Sequence, residues 1–446
     1  MKAHLINLWD RMRGSYWFIP ACAILFALAA AAGLPALDNR YAEAFDDALG
    51  MFRLGPDSAR TLLSTVASVM ATVVGLVFSL TILTLSIATS QFGPRLLRSF
   101  LNNRATQIVL GTFVATVIYS LLILAMIHAA RDTEIVPHIS VFAALFAAVF
   151  NLVFLVHFVN SIAELIQAPN VVARVAADLD DALLRLCPEK LPDNPEDEHA
   201  ASVTLPGPGT TIYAHKEGYL QGVDIEELTN MAAAAGFVLR LHYRPGQFVY
   251  LSSPLAEAYE FQDDVNGLEE SVNRSIVTGR RRSPRQDVEC TLLELVEVAV
   301  RALSPGVNDP FTAINCLDHL GAILGRAATR ALPPAACYDN NGTLRVLMPF
   351  ATFADLLDAG CNQIRQNGEG NTAVLIRLLE ALAQVAHHVL RTTDGEALRR
   401  HVEMVARACE ATIKEPNDLE DIRDRVEAIY ALLNKGALKP AANCPQ

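Results

Sequence analysis

The sequence lacks the short signatures that announce most chemistry. It contains no G-x-S-x-G, no Walker loop, no H-E-x-x-H and no dinucleotide fingerprint, so no enzyme activity and no cofactor are expected from its motifs. The eight cysteines (Cys22, Cys187, Cys290, Cys316, Cys337, Cys361, Cys409 and Cys444) form no C-x-x-C pair and have no paired spacing with histidine. They read as reduced core thiols rather than a disulfide frame or a zinc site. His319, His387 and His388 likewise lack companions at metal-ligand spacing, and no metal is expected. An excess of positive charge is also missing. The formal net charge is -12, which argues against nucleic acid as a partner.

Charge is scarcest between Arg60 and Arg95, where no ionisable side chain occurs. At about 1.5 Å per residue a helix there is roughly 50 Å long, against a hydrocarbon core of about 30 Å. The stretch from Ser58 to Gly93 therefore predicts a membrane span that overshoots the bilayer. Small or weakly polar residues recur in it at steps of four and three: Thr61, Thr65, Ser68, Thr72, Gly75, Ser79, then Ser86, Thr89 and Gly93. A repeat near 3.5 keeps them on one face. Two readings stay open: a packing seam within or between protomers, or the hydroxyl lining of a pore shared by several copies.

Three further spans are expected, at about 17–37, 108–126 and 139–166, beside the second at about 62–89. Hydrophobic residues make up 52% of the chain, in keeping with such a membrane unit (1–166) attached to a soluble body. Residues 38–60 read as an acidic connection, with Gly55-Pro56 breaking the chain before the second span. Lys2, Arg11 and Arg13 precede the first span, and Arg95, Arg98 and Arg104 follow the second. The positive-inside rule then puts both termini in the cytoplasm of a bacterial cell, with the spans in its inner membrane. The fourth span carries a polar cluster on one helix face, His157, Asn160, Ser161 and Glu164, near its cytoplasmic end.

Up to Gln167 the chain holds Lys2 and nine arginines against nine acids, close to +1, so the remainder carries about -13. A helical link and a Pro-rich acidic loop (167–201) lead to a small β-rich module (202–259). Strands are expected at Thr210–Ala214, Tyr219–Val223, Phe237–Tyr243 and Phe248–Leu251, with a helix after Asp224. From about Leu255 onward (260–446) a helical bundle is expected, with Leu292, Leu295, Val296 and Ala299 as one apolar stripe. The fold class is thus a membrane α-helical unit of four spans plus a cytoplasmic α+β body.

Two soluble stretches carry unusual chemistry. In Ser304-Pro305-Gly306-Val307-Asn308-Asp309-Pro310, Gly306 suits a positive-φ helix C-cap, while Asp309 and Pro310 suit the start of the next helix. The alternative is a cleft in which Ser304, Asn308 and Asp309 bind a ligand or another subunit. The run Arg280-Arg281-Arg282-Ser283-Pro284-Arg285 lies in an acidic domain. It reads either as an exposed loop balancing Asp263, Asp264, Glu269 and Glu270, or as a site for anionic lipid headgroups or a small anion.

Three stretches carry a family likeness: Val73 to Leu122, Gly218 to Leu228 with the R-P-G-Q-F-V run at Arg244, and Arg280 to Leu320. They resemble the bacterial predicted-membrane-protein family called domain of unknown function 2254. The resemblance implies a multi-pass cell-membrane protein with four N-terminal spans and a cytoplasmic domain, and it implies no activity.

Function is then read from residues. The preferred expectation is a homo-oligomeric ion channel lined by Thr61, Thr65, Ser68, Thr72, Gly75, Ser79 and Ser86, with the span-four cluster at its inner mouth. The alternative is a membrane-anchored sensor or scaffold whose cytoplasmic body binds a ligand or partner protein.

Overall fold

A computed structural model of the chain describes residues 17–48, 54–93, 104–129, 136–191, 205, 207–262 and 264–436. Lys2, Arg11, Arg13, Arg95 and Arg98, on which the expected orientation rests, lie outside these, as do most of the Pro-rich acidic loop, Asp263 and Cys444. The chain divides into two compact units, Met1–Asn170 and Val171–Gln446.

The N-terminal unit contains α1 (Phe18–Ala48), α2 (Pro56–Phe92), α3 (Arg104–Ala129) and α4 (His138–Ile166). All four are long and apolar enough to cross a membrane. Pro56 opens α2 at a position that needs no N–H donor, and Gly93 closes it at φ 103°, donating to the Thr89 carbonyl. α3 and α4 fill the centre, each packing against both flanking helices α1 and α2. Leu63, Ile123 and Val141 build one buried layer, and Val77, Phe113 and Phe158 another. At Gly111 a side chain would meet Pro20 and Ala23 of α1 at 3.1–3.3 Å, so the missing Cβ lets α3 and α1 approach. The connection after Leu37 begins as helix: α1 runs on through Pro35 and Asp38 to Ala48, while its part apolar enough to span ends at Asp38.

The C-terminal unit begins with α5 (Ala168–Leu186), whose apolar face buries Val172, Val175, Leu179 and Leu183. Then come β1 (Thr210–Tyr213), β2 (Gly218–Val223), α6 (Ile225–Ala235), β3 (Val238–Leu241), β4 (Phe248–Val249), β5 (Pro254–Tyr259), α7 (Val265–Arg274) and β6 (Ile276–Gly279). Asp224 caps α6 by accepting from Glu227 N–H, and Asp264 caps α7. Next are α8 (Val288–Ala302), α9 (Pro310–Ala328), β7 (Ala336–Tyr338), β8 (Leu344–Leu347), α10 (Phe353–Asn367), α11 (Thr372–Ala386), α12 (Thr392–Thr412) and α13 (Pro416–Gly436).

Two sheets form, one of order β1-β5-β3-β8-β7 and one of order β4-β2-β6. They share a core of Ile212, Leu220, Leu228, Phe237, Leu239, Val249 and Val346. The stretch after Leu255 is not wholly helical, as the sequence suggests, but supplies β5 to β8. Strand β3 accounts for this: it pairs antiparallel with β5 on one side and parallel with β8 on the other, so chain far downstream completes the sheet. Helices α8 to α13 pack on one another, and α8 buries the expected stripe of Leu292, Leu295, Val296 and Ala299, packing against α9 and α10, with Arg301 meeting Glu297 at 3.7 Å on its outer side.

Candidate functional site

Helix α2 turns Ala59, Leu63, Val66, Ala67, Met70, Val77, Thr84, Ala88 and Phe92 toward its own bundle. The hydroxyl ridge lies on another face. Thr61, Thr65, Ser68, Thr72, Gly75, Ser79 and Ser86 are all exposed, and nothing lies within 4 Å of the point where a Gly75 side chain would sit. The ridge is therefore not a packing seam within one protomer. The apolar residues Leu63, Val66, Met70 and Val77 supply that contact instead.

The hydroxyls have a fixed polarity. Thr61 donates to the Asp57 carbonyl (2.8 Å), Thr65 to that of Thr61 (2.7 Å) and Thr72 to that of Ser68 (3.0 Å). Each threonine has given its one proton to its own helix, so oxygen lone pairs face outward. Flanking Leu76, Phe78, Ile82 and Leu83 are also exposed and are suited to lipid.

In α4, His157, Asn160 and Glu164 are exposed and Ser161 is half-buried. Asn160 donates to the Glu164 carboxylate at 2.8 Å, and Asn170 donates to the Glu164 backbone carbonyl at 3.0 Å. The cluster is thus organised along its own chain.

Sequence reasoning misses the polar groups buried between these helices. Asp38 accepts from Ile139 N–H (2.6 Å), Ser140 N–H (3.0 Å) and the Ser140 hydroxyl (2.6 Å), so a carboxylate of α1 caps the first turn of α4. Asn151, 1% exposed, donates to Thr116 Oγ1 at 2.8 Å, clipping α4 to α3, and Thr116 passes its proton to the Thr112 carbonyl. A lone Asp just past an apolar run, and a lone Asn inside one, were the available signals.

In the C-terminal unit the basic run resolves into unlike parts. Arg282 is bidentate on Asp287 (2.7 and 2.8 Å) and touches Glu289 at 3.1 Å. Arg244 bridges Glu289 (2.6 Å) and Asp355 (2.8 Å). Asp287 is 3% exposed and Glu289 12%, so this five-residue chain of charges is a structural clamp. Arg282 is accordingly removed from the expected anion site, and its partners are Asp287 and Glu289 rather than Asp264, Glu269 or Glu270. Asp264 instead caps α7, Glu269 accepts from Tyr213 N–H, and Glu270 meets Arg274. Arg280, Arg281 and Arg285 are exposed.

The clamp is where distant stretches meet. Gln286 exchanges hydrogen bonds with Val223 N–H and C=O, and Gly246 N–H donates to the Leu220 carbonyl. Gly246 sits at φ 93°, where an added Cβ would lie 2.2 Å from Asp287 Oδ2. Beside the clamp opens a cleft of about 210 Å³ lined by Arg185, Cys187, Arg244, Leu332, Pro333 and Phe350 among others.

The turn between α8 and α9 closes on itself. Asp309 accepts from Thr312 N–H (3.2 Å) and the Thr312 hydroxyl (2.5 Å), and its own N–H donates to the Ala302 carbonyl (2.7 Å). The Ser304 hydroxyl donates to the Arg301 carbonyl (2.6 Å). The left-handed residue is Asn308, φ 49°, not Gly306, because asparagine tolerates that region while the Ser304 carbonyl accepts its N–H. Pro305, Gly306 and Asn308 are exposed, and Pro310 is half-buried at the first turn of α9. Phe311, 81% exposed, stands beside them.

Among the described residues no group of three His, Cys, Asp or Glu side chains could hold a metal ion. Burial pushes the Cys361 thiol up to about 12 and that of Cys409 up to about 11, so neither is a thiolate at neutral pH.

The family model described as predicted membrane protein, domain of unknown function 2254, matches residues 13–384. The chain belongs to this family. Uncharacterised proteins of Mycobacterium bovis and Mycobacterium tuberculosis are each 31% identical to it over 415 residues, covering 92% of this chain and 79% of theirs. No solved structure matches the chain. The part matching the family 2254 model spans the four apolar helices, the α2 ridge, the clamp and the α8–α9 turn.

Proposed function

We propose that this family member is a homo-oligomeric ion channel of the bacterial inner membrane, with both termini cytoplasmic. One observation carries the reading: from Thr61 to Ser86 the hydroxyl ridge of α2 is turned away from its own bundle, and only its end at Thr89 and Gly93 is covered. A ridge of oxygen lone pairs with no fixed charge can replace part of an ion's hydration shell, and it favours cations. Four helices with α3 and α4 at their centre leave no room for a path inside one protomer, so conduction requires several copies with their ridges on a shared axis. The -13 carried by the chain beyond Gln167 favours cations at the inner opening. The α4 cluster around Glu164 adds a carboxylate there.

The test joins mass measurement in detergent with conductance in planar bilayers for wild type, Ser68→Leu and Thr72→Leu. A defined oligomer whose current falls at least severalfold in both variants is expected. A monomer or closed dimer that passes no current overturns the proposal; unchanged currents reject the assigned lining.

A second reading, an anchored sensor whose C-terminal unit takes a ligand, draws support from the cleft beside the arginine clamp.

A further inference from the structure

The cleft beside the clamp has the composition of a ligand site. Its lining combines the apolar residues Leu332, Pro333 and Phe350 with the arginines Arg185 and Arg244 around a volume of about 210 Å³. The charges around it are unequally matched. Arg244 is neutralised by Glu289 and Asp355, and Asp287 by Arg282. Arg185 is different: its guanidinium donates to the Pro284 carbonyl at 2.9 Å and is otherwise exposed. Arg330, next to the lining residue Cys187, donates to the carbonyls of Cys187 and Pro188 at 2.9 Å. Among the described residues neither Arg185 nor Arg330 meets a carboxylate within ion-pair distance. Among the described residues the cleft therefore has arginines without a carboxylate partner at its rim, beside apolar lining residues.

We propose that this cleft binds a small organic monocarboxylate with a compact aromatic or branched apolar body. Its carboxylate takes the free edge of the Arg185 guanidinium, a geometry that suits bidentate pairing, and its body lies on Leu332, Pro333 and Phe350. A dianionic phosphate ester fits less well, since Asp287, Glu289 and Asp355 stand close by and have already claimed Arg282 and Arg244. The clamp keeps the site preformed, because Arg244 is fixed at two points before any ligand arrives. Binding here is independent of whether the α2 ridge conducts.

The probe is 4-fluorophenylacetate, followed by fluorine NMR against the full-length protein in phosphatidylcholine nanodiscs, with empty nanodiscs as the blank. Saturable binding with a Kd near 1 mM or below is expected for a ligand of this size. Arg185→Gln should weaken it about tenfold or more, the loss of one charge-assisted contact, and Ala351→Phe should abolish it by filling the cleft. The neutral analogue 4-fluorophenethyl alcohol should bind at least about tenfold more weakly than the carboxylate. Amide exchange across the C-terminal unit identifies any variant that has lost its fold. The proposal is overturned if the probe fails to bind wild type, if the alcohol binds equally well, if 4-fluorophenyl phosphate binds more tightly, or if both folded variants bind like wild type.

Discussion

Replacing Arg282 with methionine separates a structural arginine from its three neighbours in the basic run. The wild-type guanidinium makes two bonds to Asp287 and one to Glu289, and Asp287 is 3% exposed. Methionine retains most of the buried stem and deletes the charge, leaving a carboxylate in a site with almost no water. Removing one partner of a buried pair costs about 3–5 kcal/mol. Because Arg282 keeps 21% of its side-chain surface in solvent, the lower end applies, about 3 kcal/mol. Arg281→Ala, at an exposed position, should cost less than about 0.5 kcal/mol. Pulse proteolysis of the full-length protein in urea, following the C-terminal unit, reads both. With a slope of about 2–3 kcal/mol per molar urea, Arg282→Met should lower the midpoint by about 1 M. Asp287→Asn on the Arg282→Met background should recover at least about 1 kcal/mol of the summed single losses, since the orphaned charge is gone and asparagine still caps α8. A midpoint for Arg282→Met within about 0.2 M of wild type, or an equal loss in Arg281→Ala, refutes the clamp.

Gly246→Ala should destabilise the C-terminal unit by about 2 kcal/mol or more, because the new Cβ meets Asp287 Oδ2 at φ 93°; an unchanged urea midpoint contradicts this. Asn151→Leu deletes the bond to Thr116 and should cost about 1 kcal/mol, seen as a lower melting temperature of the N-terminal unit in detergent with no change in the mass of the solubilised protein. His401, 1% exposed and bonded to Asp358 at 2.9 Å, is held below the usual histidine range, chiefly by burial. Below about pH 6.5 the unfolded chain takes a proton that the folded chain refuses, so stability is full above that pH and falls as the solution is acidified. His401→Gln should flatten this part of the profile of melting temperature against pH, and parallel profiles for the two proteins would contradict the assignment.

The four apolar helices were legible because lipid imposes a composition rule that a single chain must satisfy residue by residue. What those helices do to one another was not. Asp38 looks like the start of a loop in sequence and becomes a cap for α4 only because α1 continues past Pro35 to bring it to Ser140. The missed strands fail for a similar reason. Pro254–Tyr259 holds two alanines and a glutamate and alternates weakly, and it is a strand because β1 and β3 flank it on both sides. The α8–α9 turn was legible in kind and misread in detail, since both Gly306 and Asn308 tolerate left-handed backbone and only the closed hydrogen bonds distinguish them. Arg282 shows the same limit: Asp287 and Glu289 are near in sequence, but Arg244 and Asp355, which complete the clamp, are not.

Two sets of polar groups in the N-terminal unit differ in how they find partners. Those between helices, Asp38 with Ser140 and Asn151 with Thr116, bond across the bundle and fix its internal geometry. Those on the outer ridge, Thr61, Thr65 and Thr72, bond back to their own helix and so tolerate exposure without a fixed neighbour. A surface of the second kind is stable in the isolated protomer whether it meets lipid, another copy or water. In the proposed channel the arrangement of copies would decide what the ridge meets: two copies would bring two ridges into contact and close them, whereas a ring of several would hold them apart around an axis. Under that proposal, conduction would depend on subunit number more directly than on the identity of any single hydroxyl.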